Sequence, residues 1–232
     1  MVEFSVFDNR HYPTLPVCEG YDAWAASYET TVLDLMDLRV AEQLKTVAWA
    51  ENSPVLDLAC GTGRVGTWLR SKNVSPVDGV DLAPAMLERA RARGVYRTLQ
   101  LGDVANVEAA DEAYALVTQS LADEHLRDLR PLYREAARLT RPEGLFVLIG
   151  YHPWFLMTGM AAHFELEPGR PVAIESYVHL FSDHVSAAHP PGWRLQELVE
   201  AVVDNAWIEA KPKWTAYLNR PISFAMVWRK TD

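Results

Sequence analysis

The stretch LDLACGTGRVG, residues 56–66, decides how the rest of this chain is read. Gly61, Gly63 and Gly66 fall at the spacing G-x-G-x-x-G. That spacing lets a backbone turn tightly after a strand and approach a ligand where the next helix begins. Taken alone it fits a dinucleotide site, a site for another adenosyl ligand, or a plain strand-to-helix turn. Asp57 lies in the run just before the turn, where its charge opposes a pyrophosphate and suits a cation.

Outward from this turn the chain alternates regularly. PVLDLA reads as a strand and GRVGTWLRSK as a helix. PVDGVDL is a second strand, and APAMLERARARG a helix with Pro84 in its first turn and Gly94 just past its end. VYRTLQLGD and AYALVTQS read as strands three and four, LRDLRPLYREAARLTRPEG as a long helix, and LFVLIG as strand five. Strands alternating with helices require crossover connections and a mainly parallel sheet covered on both faces. Before the alternation, residues up to about Glu19 read as a loose arm. Residues 21–50 take a helical pattern, with Tyr21, Trp24 and Tyr28 at i, i+3, i+7. After strand five, residues 151–190 show no crossover helix but many aromatic and histidine residues. GWRLQELVEAVVD, residues 192–204, has helical spacing, and AWIEAKPKW and SFAMVWRK alternate like two closing strands. The expected division is an arm and helical lid over 1–50, followed by one domain over 51–232 with a substrate-side insertion at about 151–190.

Composition narrows the function. The 232 residues carry 22 Lys and Arg against 31 Asp and Glu, a formal charge of −9, which disfavours nucleic acid as a partner. Apolar runs are too short to span a bilayer, and the first residues do not read as a secretory signal. Two cysteines, Cys18 and Cys60, give neither a disulfide framework nor a zinc cluster, so the expected setting is cytoplasmic.

In an open parallel sheet the ligand sits beyond the carboxyl ends of the strands, where strand order reverses, so Ala59–Gly63 are delivered to that crevice. Asp81, ending the second strand, suits the two hydroxyls of a ribose. Asp103, in GDVAN after the third strand, suits an exocyclic amine, with Val104 covering the ring. Acids in strand one and after strands two and three outline a pocket for a positively charged adenosyl ligand. VLDLACGTGRVG, DGVDLAPAML and LGDVAN together resemble the successive cofactor motifs of class I S-adenosylmethionine-dependent methyltransferases, in particular their small-molecule branch. The resemblance implies an α/β, Rossmann-like sheet of seven mostly parallel strands with a reversed last strand, helices on both faces, an N-terminal helical lid and an insertion after strand five. It implies S-adenosylmethionine as cofactor, with Asp57, Ala59, Gly61 and Gly63 around its methionine portion and Asp81 on the ribose. Leu82 and Met86 would lie near the adenosine, Asp103 and Val104 at the adenine, Gln119 facing the cofactor and Tyr28 closing over it.

Methyl transfer needs alignment of acceptor, methyl and sulfur more than acid–base machinery. On the acceptor side, His125 after strand four and His152 after strand five are the expected catalytic candidates, and Tyr151, His152 and Trp154 the expected substrate contacts. No metal is expected, since His152, His163, His179 and His184 fall in no metal-binding spacing. The expected partner is a small-molecule acceptor, methylated at oxygen or nitrogen, with neither nucleic acid nor membrane and with a homodimer left open. The competing readings are a nicotinamide-dependent oxidoreductase, a methyltransferase for RNA or protein, and a protein that holds the cofactor without transferring methyl.

Overall fold

The computed structural model describes residues 2–32 and 35–231. In the N-terminal region, β1 (Val2–Glu3) and β2 (Thr14–Leu15) precede three short helices, α1 (Val17–Trp24), α2 (Tyr28–Thr31) and α3 (Leu38–Ala41). The continuous helical pattern expected over residues 21–50 is thus broken into pieces, and its Leu33 and Asp34 lie outside the described residues.

The alternating region folds as the sequence indicates, into β3 (Val55–Leu58), α4 (Arg64–Ser71), β4 (Val77–Asp81), α5 (Pro84–Arg93), β5 (Thr98–Leu101), β6 (Tyr114–Ser120), α6 (Arg130–Leu139) and β7 (Thr140–Tyr151). Every residue of β3 and β4 is buried, as expected for central strands covered on both faces. Then come α7 (Pro153–Met157), β8 (His163–Glu167), β9 (Arg170–Ile174), β10 (Tyr177–Val178), α8 (Phe181–Ala188), β11 (Trp193–Val202), α9 (Asn205–Ala210) and β12 (Pro221–Lys230). The main sheet has seven strands in the order β11-β12-β7-β6-β3-β4-β5. β5, β4, β3, β6 and β7 run parallel, and β12 is antiparallel to both β7 and β11. One apolar cluster, including Leu69, Val77, Val147 and Trp207, and another, including Leu132, Tyr133, Phe146 and Met226, together sandwich this sheet.

Two expectations at the C-terminal end are corrected. Residues 193–202 form the edge strand β11, not a helix. Register shifts between Leu195 and Glu197 and between Ala201 and Val202 break its period-two pattern, and most of its side chains are at least partly exposed. The Leu- and Glu-rich text therefore imitates a helix, and pairing with β12 overrides that propensity. AWIEAKPKW contributes α9 and a following 3-10 turn instead of a strand. Asp204 caps α9 by accepting from the Trp207 N–H at 2.9 Å, and Trp207 is driven into the core.

The insertion is also more ordered than its text suggests. β8 and β9 form an antiparallel pair, and β2 adds to β9 in parallel, so the N-terminal arm and the insertion share one small sheet. Trp24 stacks on Phe164 of β8, 5.2 Å between ring centres, and ties α1 to that sheet. Among the described residues, no helix is long and apolar enough to cross a membrane.

Candidate functional site

Because β3, β4, β5 and β6 are parallel, their carboxyl ends lie along one edge, and strand order reverses at β3. A cleft opens there. Ala59 and Gly61 follow β3, Asp81 ends β4 with Leu82 and Ala83 just beyond it, Asp103 and Val104 follow β5, and Gln119 and Ser120 end β6. Gly61 has φ of +52° and a Cβ there would meet nothing within 4 Å, so the backbone itself faces the open cleft. Asp81 is held rigidly: one carboxylate oxygen accepts from the Gly61 N–H at 2.7 Å and the other from the Ala83 N–H at 2.9 Å. Burial raises its pKa, opposed by those two N–H groups. Gln119 is buried, with its amide oriented so that the oxygen accepts from the Ala122 and Asp123 N–H groups at 2.7 and 3.1 Å.

The N-terminal helices roof the cleft with Val17, Cys18, Tyr21 and Tyr28. They are clasped to its rim at three places. Asp22 accepts from the Ala85 N–H at 2.8 Å, near the start of α5, where the cap residue Ala83 supplies no side-chain acceptor. The Cys18 thiol donates to the Leu82 carbonyl. Glu29 accepts from the Thr62 hydroxyl in the glycine turn and pairs with Arg93 at 2.7 Å.

The charge of this cleft decides what it can hold. Its lining carries two carboxylates, Asp81 and Asp103, and no lysine or arginine among the described residues. A dinucleotide would place a pyrophosphate here with no cation to meet it, whereas an adenosyl ligand bearing a sulfonium and an ammonium meets complementary charge. A methyltransferase domain model matches residues 56–148. The chain is 32% identical over 196 residues to a malonyl-[acyl-carrier protein] O-methyltransferase of Halorhodospira halophila, covering 81% of this chain and 63% of that protein. It is 40% identical over 86 residues to human methyltransferase-like protein 27, covering 35% of each. The fold matches the crystal structure of an S-adenosylmethionine-dependent methyltransferase from Mesorhizobium loti with a TM-score of 0.65 at 22% identity, over 83% of this chain and 96% of that one. Residues 56–148 thus match a methyltransferase domain, and the chain shares the fold of a solved S-adenosylmethionine-dependent methyltransferase. It spans 63% and 35% of the length of the two curated relatives named here.

On the structure's own terms, the cleft fits S-adenosylmethionine. The buried Asp81 carboxylate at the strand tip suits ribose hydroxyls, and the apolar side chains of Leu82, Met86 and Val104 in the lining suit an adenine. Of the cofactor residues expected from sequence, Tyr28, Ala59, Gly61, Asp81, Leu82, Met86, Asp103, Val104 and Gln119 all line the cleft. Two do not. Gly63 starts α4 with φ of +84° and packs against Arg93 and Tyr96. Asp57 is buried beneath the turn, accepting from the Tyr96 hydroxyl at 2.8 Å and the Thr118 hydroxyl at 2.9 Å, and burial pushes its pKa up to about 7. Gly66 explains that geometry, because a Cβ on it would overlap the Tyr96 ring that reaches Asp57. The glycine run and Asp57 thus build the floor of the site together.

His125 lines the cleft, with both ring nitrogens engaged. Nδ1 lies 2.6 Å from the Glu175 carbonyl, so it carries the proton, and Nε2 accepts from the Tyr21 hydroxyl at 2.8 Å. Burial lowers its pKa to about 4, keeping it neutral. Beside it, Glu124 and Asp123 are buried, and burial raises both carboxyls. His152 is a correction, since it lines neither cavity of this region. Its Nδ1 accepts from the Trp154 N–H, capping α7, and its Nε2 donates to Glu200 at 2.8 Å. Trp154 likewise points away, with Arg220 over its ring. Tyr151 lines a second, larger cavity of about 570 Å³ between the N-terminal helices, the insertion and the α9 region. Other walls of this cavity, Phe155, Phe164, Trp214 and Tyr217, come from three separate segments, and only the first two lie in the aromatic-rich insertion singled out from sequence. Trp24 lines the second cavity and packs edge-on against Tyr28, 5.0 Å between rings, while Tyr28 lines the cleft. An aromatic partition therefore separates the two spaces.

Proposed function

We propose that this chain transfers a methyl group from S-adenosylmethionine to an oxygen or nitrogen of a small-molecule acceptor by in-line displacement. The observation that carries the reading is the pair of adjoining cavities, an anionic cleft at the strand ends and an aromatic cavity on the other side of Tyr28 and Trp24. The cavity's volume of about 570 Å³ lies in the range for small-molecule sites. The bound cofactor supplies an electrophilic methyl group on a good leaving group. The chain's part is to hold acceptor and donor in line and to exclude water, which the clasped N-terminal roof does. Neutral His125 fixes the Tyr21 hydroxyl at the cleft's roof and acts as a positioning residue. The names of the malonyl-[acyl-carrier protein] and tocopherol O-methyltransferases among the relatives support oxygen as the accepting atom.

The test incubates the purified chain with methyl-labelled S-adenosylmethionine and three acceptor sets: a panel of phenols, carboxylic acids and amines, bulk RNA, and bulk protein. Label in the small-molecule panel supports the reading. Label confined to RNA or protein overturns it.

A further inference from the structure

The second cavity has a charge pattern that runs against the composition of the chain. Acids outnumber cations 31 to 22 overall, yet Arg10, Lys211 and Lys213 line this one cavity against a single carboxylate, Glu165. None of the three makes an ion pair among the described residues. Arg10 bonds His163 at 3.0 Å and lies over the Tyr12 ring, and Lys211 donates to the Thr31 carbonyl at 3.4 Å. Lys211 and Lys213 sit close enough that Lys213, together with burial, lowers the Lys211 pKa. Three cations grouped against one carboxylate among the described residues are a cost to the folded chain unless something else occupies the space. The rest of the lining is flat and apolar, with Trp24, Phe155, Phe164 and Trp214 among its walls.

We infer that the acceptor is a flat aromatic molecule carrying an anionic group, which Arg10 and Lys213 neutralise while the ring lies among the tryptophans. The inference rests on the methyltransferase reading and names the acceptor class for it. An anionic acceptor and a cationic donor would be sorted by charge into the two spaces that meet at Tyr28 and Trp24. Salt would weaken the acceptor's hold, since screening acts on charges near the surface.

The experiment uses the full chain saturated with S-adenosylhomocysteine and titrates 2-naphthoate and its neutral isostere 2-naphthamide by calorimetry. Quenching of tryptophan fluorescence reports entry, because Trp24, Trp207 and Trp214 line the cavity. Naphthoate is expected to bind about ten- to a hundredfold more tightly than naphthamide, as charge-assisted contacts allow. Lys213→Glu and Arg10→Gln should remove that preference while leaving S-adenosylhomocysteine affinity unchanged, which also shows that the variants fold. Equal binding of the two probes, binding of neither, or an intact preference in both variants overturns the inference. Failure of S-adenosylhomocysteine to bind the wild-type chain is a separate result, and it removes the methyltransferase reading on which the inference rests.

Discussion

The cleft at the strand ends and the cavity beside it share an aromatic wall and differ in everything else. The cleft is built mostly from one sheet edge, where consecutive strands deliver one short segment each, and its charged residues are Asp81 and Asp103. The cavity is built from the arm, the N-terminal helices, the insertion and the α9 region, and its charge is mainly positive. Local segments fix the first, and long-range packing assembles the second. The difference explains why the cleft can be read along the chain while the cavity is recognised only once the chain is folded.

The largest effect that would separate the two spaces comes from Asp81. Asp81→Ala removes the buried acceptor and frees two backbone N–H groups, and it should weaken S-adenosylhomocysteine binding by about 1.5–3 kcal/mol, roughly ten- to a hundredfold. Naphthoate binding in the neighbouring cavity should stay within about twofold, as expected for a site with no shared partner. Equal losses at both sites in titration calorimetry would mean that the two spaces are one.

Next in size is the floor of the cleft. Gly66→Ala places a methyl group where the Tyr96 ring lies, and overpacking of this kind should cost about 1–3 kcal/mol, or roughly 3–10 °C in Tm for a chain of this length. An unchanged melting temperature would show that Tyr96 moves aside freely.

His152 supplies a contrast outside both cavities. His152→Ala removes the cap of α7 and should lower stability by about 0.5–2 kcal/mol while changing turnover less than about twofold. A turnover loss without a stability loss would return His152 to the catalytic role its position in the sequence suggested.

The smallest effect is a pH signature at Asp57. Burial raises this carboxyl in the folded chain from 3.8 to about 7, so its contribution to stability is present below pH 3.8 and is lost as pH rises through about 7. Asp57→Asn lacks that titration. The melting temperature of the variant minus that of the wild type should climb between those two pH values and then level off. A difference independent of pH would mean that Asp57 is not held protonated by its surroundings.

The residues of the cleft were legible because each lines it near where it stands in the chain: Gly61 after β3, Asp81 at the tip of β4, Asp103 after β5. Asp57 was legible as important and not in its role, because nothing in the text says that Tyr96 reaches back under Gly66 to meet it. The closing strand pair was half legible. β12 forms where a strand was read, buried along most of its length, but β11 is an edge strand with two register shifts, and its exposed leucines and glutamates have the composition of a helix. His152 misled because its place after strand five matches a substrate contact, while the capped turn of α7 and Glu200 claim both of its nitrogens. The Arg10, Lys211 and Lys213 group was invisible, since its first member lies some two hundred residues before the others and each alone reads as a solvated surface cation.

The central claim is that the glycine turn serves a cationic adenosyl donor and no dinucleotide, and titration calorimetry on the wild-type chain with S-adenosylmethionine and with NAD tests it most directly. Saturable binding of S-adenosylmethionine, weakened in Asp81→Ala, with no heat from NAD at millimolar concentration, is the predicted result. Binding of NAD with none of S-adenosylmethionine would contradict the account.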